Sequence, residues 1–302
     1  MDRTPRRTLA VRIARRIGLV SAVAIPVVYL AVSLLSAHLL TRTNNQPSHL
    51  DPRAVGPDAV AWSTRTADGL TLRGWFYPRS GPHRLVILVH GMGGSLEAMA
   101  ELGRDLHGRG YAVLLFDLRG HGGSDPARLS MGRRERADLR AVMAWAGGQG
   151  YGPDRIGWVG QSMGASTILM EGEQNLDIRV AVVDSPFGDL PALLNTQLAR
   201  HSHLPSVFNP GILLAAHRAY GVRTDDLKPI RSVRRWGSRP LLLIHGEADS
   251  IVPVGQARDL ARAAGPSCRA VTLPGVEHVG AYHRDPGRYV AAVDGFLKAH
   301  LR

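Results

Sequence analysis

From residue 85 onward the chain alternates short apolar, β-branched runs with longer amphipathic stretches, and few folds are compatible with that order. The runs at 85–89, 111–116, 155–159, 179–183, 240–244 and 269–273 read as strands, and the stretches near 95–108, 133–147, 163–174, 254–264 and 286–300 read as helices. Strands that are apolar along their whole length are buried on both faces. Alternation with helices makes them parallel, with helices above and below. Ahead of them, 60–66 and 70–77 form two further strand candidates joined by Ala67-Asp68-Gly69, the Asp-Gly signal of a hairpin. The expected fold is therefore α/β, with a mostly parallel central sheet and helices on both faces. One interval breaks the pattern. Residues 186–237 hold two helical stretches, near 189–200 and 211–220, with no convincing strand between them, as expected of a short helical cap inserted into the domain. The cap carries seven basic residues (Arg200, Arg218, Arg223, Lys228, Arg231, Arg234, Arg235) against Asp189, Asp225 and Asp226. That excess fits either an ordinary solvated surface or attraction to anionic headgroups and acidic substrates.

The N-terminus follows different rules. Between 17 and 40 no residue carries a fixed charge. As a helix this stretch would reach about 36 Å, enough to cross a hydrocarbon core of about 30 Å. Pro26 is compatible with such a span, because lipid offers the backbone no competing water. A single transmembrane anchor over 17–40 is expected, in preference to a cleaved signal peptide or a buried helix, since no clean small-x-small cleavage site precedes Thr41. Arg3, Arg6, Arg7, Arg12, Arg15 and Arg16 precede the span, and Arg42 and Arg53 follow it. The positive-inside rule then makes 1–16 a basic cytoplasmic N-terminus and puts the rest outside, secretion after cleavage being the alternative. Residues 41–58, rich in Asn, Pro and polar side chains, read as a linker to a folded domain at 59–302. The six arginines ahead of the span also account for much of the net charge of +12. With no recognition motif, a nucleic-acid partner is not expected. The thirteen histidines fall in no metal-ligand spacing, and 91–94 lacks the GK[ST] ending of a phosphate loop, so neither metal nor other cofactor is expected. Cys268, the single cysteine, excludes an intramolecular disulfide and is expected as a buried, inert thiol in a strand.

The stretch "WVGQSMGAS" (158–166) sets Ser162 between Gly160 and Gly164, directly after a strand and directly before a helix. A turn that tight strains its middle residue and leaves no room for a Cβ on either side, and it lifts the serine oxygen above the sheet. A serine nucleophile needs a base, because an alcohol is protonated at neutral pH, and an acid to orient that base. After "LLLIHG" comes Asp249, and after "RAVTLPG" comes His278; Ser162, Asp249, His278 is the chain order expected for this type of turn. Glu247 and Asp184 are alternative acids. His283 and His90 read as structural, His90 as a tie for the loop behind it. Rigid backbone donors for a developing oxyanion are available from the Met92 amide in "VHGMGGS" and from the Met163 amide beside Ser162.

Taken together, "HGMGGS", "DLRGHGGSD", "GQSMGAS", "HGEADSIVP" and "GVEHVGAYHRDP" resemble the α/β-hydrolase family in order and spacing, from about Ala59 to the C-terminus. Within it the chain looks like bacterial membrane-anchored serine hydrolases with a short cap, of the prolyl-peptidase and acyltransferase-like branch. The resemblance implies Ser162 as nucleophile, His278 as base, Asp249 as acid, and the Met92 and Met163 amides as oxyanion hole. It makes the 117–125 loop structural, so that Asp117, Arg119 and His121 need no catalytic role. It implies hydrolysis of a small-molecule or lipid-like acyl ester, with thioester, peptide or acyl-transfer chemistry on the same machinery as alternatives. A non-catalytic, membrane-tethered binding protein would show a broken triad, and none is seen.

Overall fold

The computed structural model describes residues 4–43, 45–81 and 83–302. Its strands are β1 (Val60–Arg65), β2 (Thr71–Tyr77), β3 (Leu85–Val89), β4 (Ala112–Phe116), β5 (Ile156–Gln161), β6 (Val180–Asp184), β7 (Leu241–Gly246) and β8 (Cys268–Leu273). Its helices are α1 (Thr4–Leu40), α2 (Ala100–Gly108), α3 (Arg136–Gly148), α4 (Met163–Gly172), α5 (Leu190–Ser202), α6 (Asn209–Tyr220), α7 (Pro229–Val233), α8 (Val254–Ala264), α9 (Ala281–Arg284) and α10 (Pro286–His300). The chain divides into two compact units: residues up to Thr41 with Asn195–Gly221, and Arg42–Leu194 with Val222–Arg302.

The larger unit holds one eight-stranded sheet in the order β1-β2-β4-β3-β5-β6-β7-β8. β1 and β2 form the expected antiparallel hairpin, β2 runs antiparallel to β4, and every pairing from β4 through β8 is parallel. Strand alternation splits the core between the two faces of the sheet. On β3, Leu85, Ile87 and Val89 pack with Leu139 and Val142 of α3, Ile168 of α4 and Leu260 of α8, whereas Val86 and Leu88 pack with Leu102 and Leu106 of α2 and Val293 and Leu297 of α10. All five residues of β3 are buried, which is why the strand reads as one unbroken apolar run.

Three details add to the sequence expectation. The stretch that follows the span, read as a linker, groups with the larger unit. Thr43 Oγ1 donates to the Ala127 carbonyl (2.7 Å), Asn45 to the Ser124 carbonyl (2.8 Å), and Tyr77 to the Pro52 carbonyl (2.8 Å), while Val55 is buried in the core. A polar stretch without periodicity can still be fixed by donors aimed at loop carbonyls. The last helix, α10, starts at Pro286 as expected, with Asp285, extended at φ −155°, accepting from the Arg288 amide (2.9 Å), and the separate four-residue α9 ends just before it. Cys268 opens the edge strand β8 and is only partly buried; that burial still pushes its thiol up to about 11, leaving it protonated and unreactive.

The smaller unit pairs α1 with α6. Within α1, the stretch Val11–Leu40 is long and apolar enough to cross a membrane. Its earlier turns are bare, with Leu19 70% and Ile25 69% exposed. α6 ends at Gly221 in the left-handed conformation (φ 69°), whose amide returns to the His217 carbonyl.

Candidate active site

Ser162 sits between the end of β5 and the start of α4 with φ 51° and ψ −117°, a conformation a non-glycine residue adopts only at a cost on the order of 1–3 kcal/mol. Neighbours enforce it. The Ser162 amide donates to the Asp184 carbonyl (2.8 Å), its own carbonyl accepts from Ser166 (3.0 Å), and glycine flanks it for the reason expected from the sequence. A Cβ on Gly164 would lie 2.4 Å from both the Val89 and the His90 carbonyl oxygens, and one on Gly160 would lie 2.8 Å from the Ala165 nitrogen. Strand β5 and helix α4 thus approach so closely that the turn has only one shape, and that shape presents Oγ above the C-terminal edge of the sheet.

The three residues singled out in the sequence lie in one hydrogen-bonded chain. His278 Nε2 is 2.9 Å from Ser162 Oγ, and His278 Nδ1 is 2.7 Å from Asp249 Oδ2. With Nδ1–H donating to the carboxylate, Nε2 is left as the acceptor for the serine hydroxyl. The other carboxylate oxygen of Asp249 accepts from the Ile251 (2.9 Å) and Val252 (2.7 Å) amides, so a fully buried charge has four lone-pair directions largely used. The loops carrying acid and base are laced together by Glu247 N to the Leu273 carbonyl (2.9 Å) and Ala248 N to the Val276 carbonyl (3.0 Å). Of the alternative acids, Glu247 is exposed and accepts from Thr272 (2.8 Å), and Asp184 is buried and accepts from Ser185 (2.9 Å). His283 is exposed on α9.

The loop behind the nucleophile is fixed by histidines. The Leu118 amide donates to His90 Nε2 (3.0 Å), and the Gly93 amide to His121 Nε2 (3.3 Å), while His121 Nδ1 donates to the Arg119 carbonyl (2.9 Å). Full burial pushes His90 down to about 3, so it stays neutral as this acceptor role requires. Arg119 spans Asp138 (2.8 Å) and Asp68 (2.6 Å), and Asp117 accepts from Leu96 (2.7 Å) and Gly123 (2.9 Å). These contacts knit the 90–96 and 117–125 loops, and none of them involves the triad. Met163 is the first residue of α4, so its amide is among the first-turn N–H groups that have no acceptor within the helix. A Cβ on Gly91, the residue before Met92, would come 3.2 Å from Ser162 Cβ, so the backbone just ahead of Met92 runs beside Ser162.

Two supporting residues have no signature in the sequence. His245, fully buried at the end of β7, donates to the Val252 carbonyl (2.8 Å) and lies 3.3 Å from Asp249 Oδ2; burial lowers its pKa and keeps it neutral. Its only signal is a histidine closing "LLLIHG". Ser185 (φ 52°) donates to Asp184 and accepts from the Val279 amide (3.1 Å), which pins the residue after His278.

Comparison with known proteins gives the family and the fold. Residues 80–235, which include Ser162 and end before Asp249 and His278, match the family of serine aminopeptidase, S33. An uncharacterized protein of Mycobacterium tuberculosis H37Rv is 34% identical over 237 residues, 77% of this chain and 75% of that one. The protein YfhR of Escherichia coli K12 is 29% identical over 244 residues, 77% of this chain and 78% of its own length. Among solved structures, the esterase Pf2001 of Pyrococcus furiosus superposes with a TM-score of 0.72 at 24% identity, covering 87% of this chain and 98% of the esterase, a likeness of fold.

Proposed function

Because this chain belongs to the serine aminopeptidase S33 family of α/β-hydrolases, we propose that it is a membrane-anchored serine hydrolase that cleaves an acyl ester through Ser162, His278 and Asp249. The observation that carries this reading is the pair of distances at His278, 2.9 Å to Ser162 Oγ and 2.7 Å to Asp249 Oδ2, on a turn strained into position. His278 Nε2 takes the hydroxyl proton as Oγ bonds to the acyl carbonyl carbon. The Met92 and Met163 amides receive the oxyanion, and Asp249 stabilises the imidazolium. Collapse breaks the bond to the leaving alcohol, which takes the proton from His278. Water, deprotonated by the same nitrogen, then releases the acid and restores Ser162. Neither metal nor cofactor enters these steps. Residues 17–40 hold the protein in the bilayer with the short basic N-terminus in the cytoplasm, by the arginine asymmetry, and the catalytic body on the other side.

A fluorophosphonate is expected to label Ser162 covalently, and Ser162→Ala to abolish both labelling and hydrolysis of p-nitrophenyl esters. Loss of the nucleophile or of His278 costs on the order of 10⁶ in turnover, and Asp249→Asn somewhat less. Wild-type protein that takes no label and cleaves no ester, thioester or aminoacyl amide would leave a tethered binding protein. The family's name favours a second reading, removal of an N-terminal amino acid, and aminoacyl amides cleaved faster than esters would select it.

A further inference from the structure

α6 runs alongside the second half of α1, and the register of that pairing bears on where the inserted segment lies. Tyr29 Oη donates to the Val207 carbonyl (3.0 Å) and accepts from the Gly211 amide (3.0 Å), and its ring stacks on Phe208 at 5.1 Å. One turn further, a Cβ on Gly211 would come 2.3 Å from Ser33 Oγ. At the far end His38 Nδ1 lies 3.2 Å from Tyr220 Oη. The two helices are therefore parallel, packed through small residues four apart: Ser33 and Ala37 on α1 against Gly211 and Ala215 on α6, all four buried.

Tyr29 stands at the middle of the uncharged stretch 17–40, eleven residues or about 16 Å short of its end. Whatever packs at Tyr29 is consequently about half a bilayer deep if 17–40 spans. One stretch of the inserted segment, 204–216, has the composition for that depth. No residue from 204 to 216 carries a charge, a length that suits a re-entrant or interfacial segment and falls short of a span. Val207 and Leu214 are 65% and 57% exposed, and the first charged residue after this stretch is Arg218, near the end level with His38. Polar backbone in hydrocarbon must find partners in protein, and the start of α6 has one in the Tyr29 hydroxyl.

We infer that residues 204–216 dip into the outer leaflet against α1, so that this stretch of the inserted segment is a lipid-contacting element rather than a water-exposed surface. This rests on the span reading of 17–40 and is independent of the triad. It gives the apolar face of 204–216 one partner, the acyl chains of the bilayer, and it makes membrane lipid, rather than a solute, the molecule this part of the enzyme meets first.

The test uses the full chain in liposomes, with Cys268→Ala as background and single cysteines at Val207, Leu214, Val23 and Leu176. Leu176 is 67% exposed on the larger unit and matches Val207 in protein burial. A membrane-impermeant maleimide should modify Leu176→Cys fully, and Val207→Cys, Leu214→Cys and Val23→Cys at least tenfold more slowly. A bimane on position 207 or 214 should be quenched by nitroxide carried on the lipid chains, and all four positions should label alike in denaturing detergent. If Val23→Cys is protected while Val207→Cys and Leu214→Cys label like Leu176→Cys, the segment stands in water and the inference is overturned with the anchor intact. If Val23→Cys also labels, the span reading itself has failed.

Discussion

Asp184 illustrates how single residues around this site act through protons they keep. Its carboxyl lies at the end of β6, fully buried, with the Ser185 hydroxyl on one oxygen, and burial pushes it up to about 6. An unfolded aspartate titrates near 3.9. Between those two values the unfolded chain has released the proton and the folded chain still holds it, so stability falls as pH rises from about 4 to about 6 and is level above that. A difference of about two pH units corresponds to about 3 kcal/mol. Asp184→Asn removes the titration. Its stability relative to wild type, followed by urea denaturation in detergent, should therefore improve by about 3 kcal/mol between pH 4 and pH 7; parallel pH profiles would mean that the carboxyl ionises normally. That Ser162, Asp249 and His278 would be brought together was legible in the sequence, because each follows a recognisable strand and they stand in the order such a turn expects. Ser185 and His245 were not. Ser185 meets its partner Val279 across 94 residues, and His245 looks like any polar residue closing an apolar run.

At the level of elements, the turn from β5 to α4 is where geometry is least forgiving. Gly164→Ala would set a Cβ 2.4 Å from two backbone carbonyl oxygens of β3 and the residue following it, atoms that cannot step aside, so α4 must move and carry Ser162 with it. A displacement of about 1 Å at a reacting group costs roughly 10²-fold in rate, and a loss of that size in kcat with native circular dichroism is expected. Gly147→Ala on the exposed side of α3, where nothing lies within 4 Å, is the control: activity unchanged and stability raised by about 1 kcal/mol. Equal effects at both positions would show that the loss at 164 is not steric. Elements were legible to the extent that burial imposes a period. β3 to β7 are buried at every position and read as apolar runs, and the Asp-Gly signal marked the hairpin. The four-residue α9 is too short to show a period, and the fit of α6 on α1 joins stretches about 180 residues apart, which no local pattern encodes.

For the whole molecule, the division into two units puts the proposed catalytic residues in one unit and the proposed membrane anchor in the other. The larger unit contains all eight strands, the core on both faces of the sheet and Ser162, Asp249 and His278, and its chain begins at Arg42 with donors laid on the 124–127 loop. A fragment of residues 42–302 should therefore fold and hydrolyse a short, water-soluble ester within a few-fold of the full chain. It should also carry a defect confined to 195–221, because Gly211, Ile212, Ala215 and Ala216 lose α1 as their cover. Limited proteolysis should cut there in the fragment and not in the full chain in detergent, and the fragment should self-associate unless detergent is added. Cutting further, to residues 59–302, removes the buried Val55 and leaves the Tyr77 hydroxyl without the Pro52 carbonyl. Together these losses should cost about 2–4 kcal/mol, from one buried aliphatic side chain and one hydrogen bond. If the 42–302 fragment is unfolded, α1 is part of the hydrolytic core. If it folds and 195–221 resists protease, the inserted segment holds its shape without the anchor.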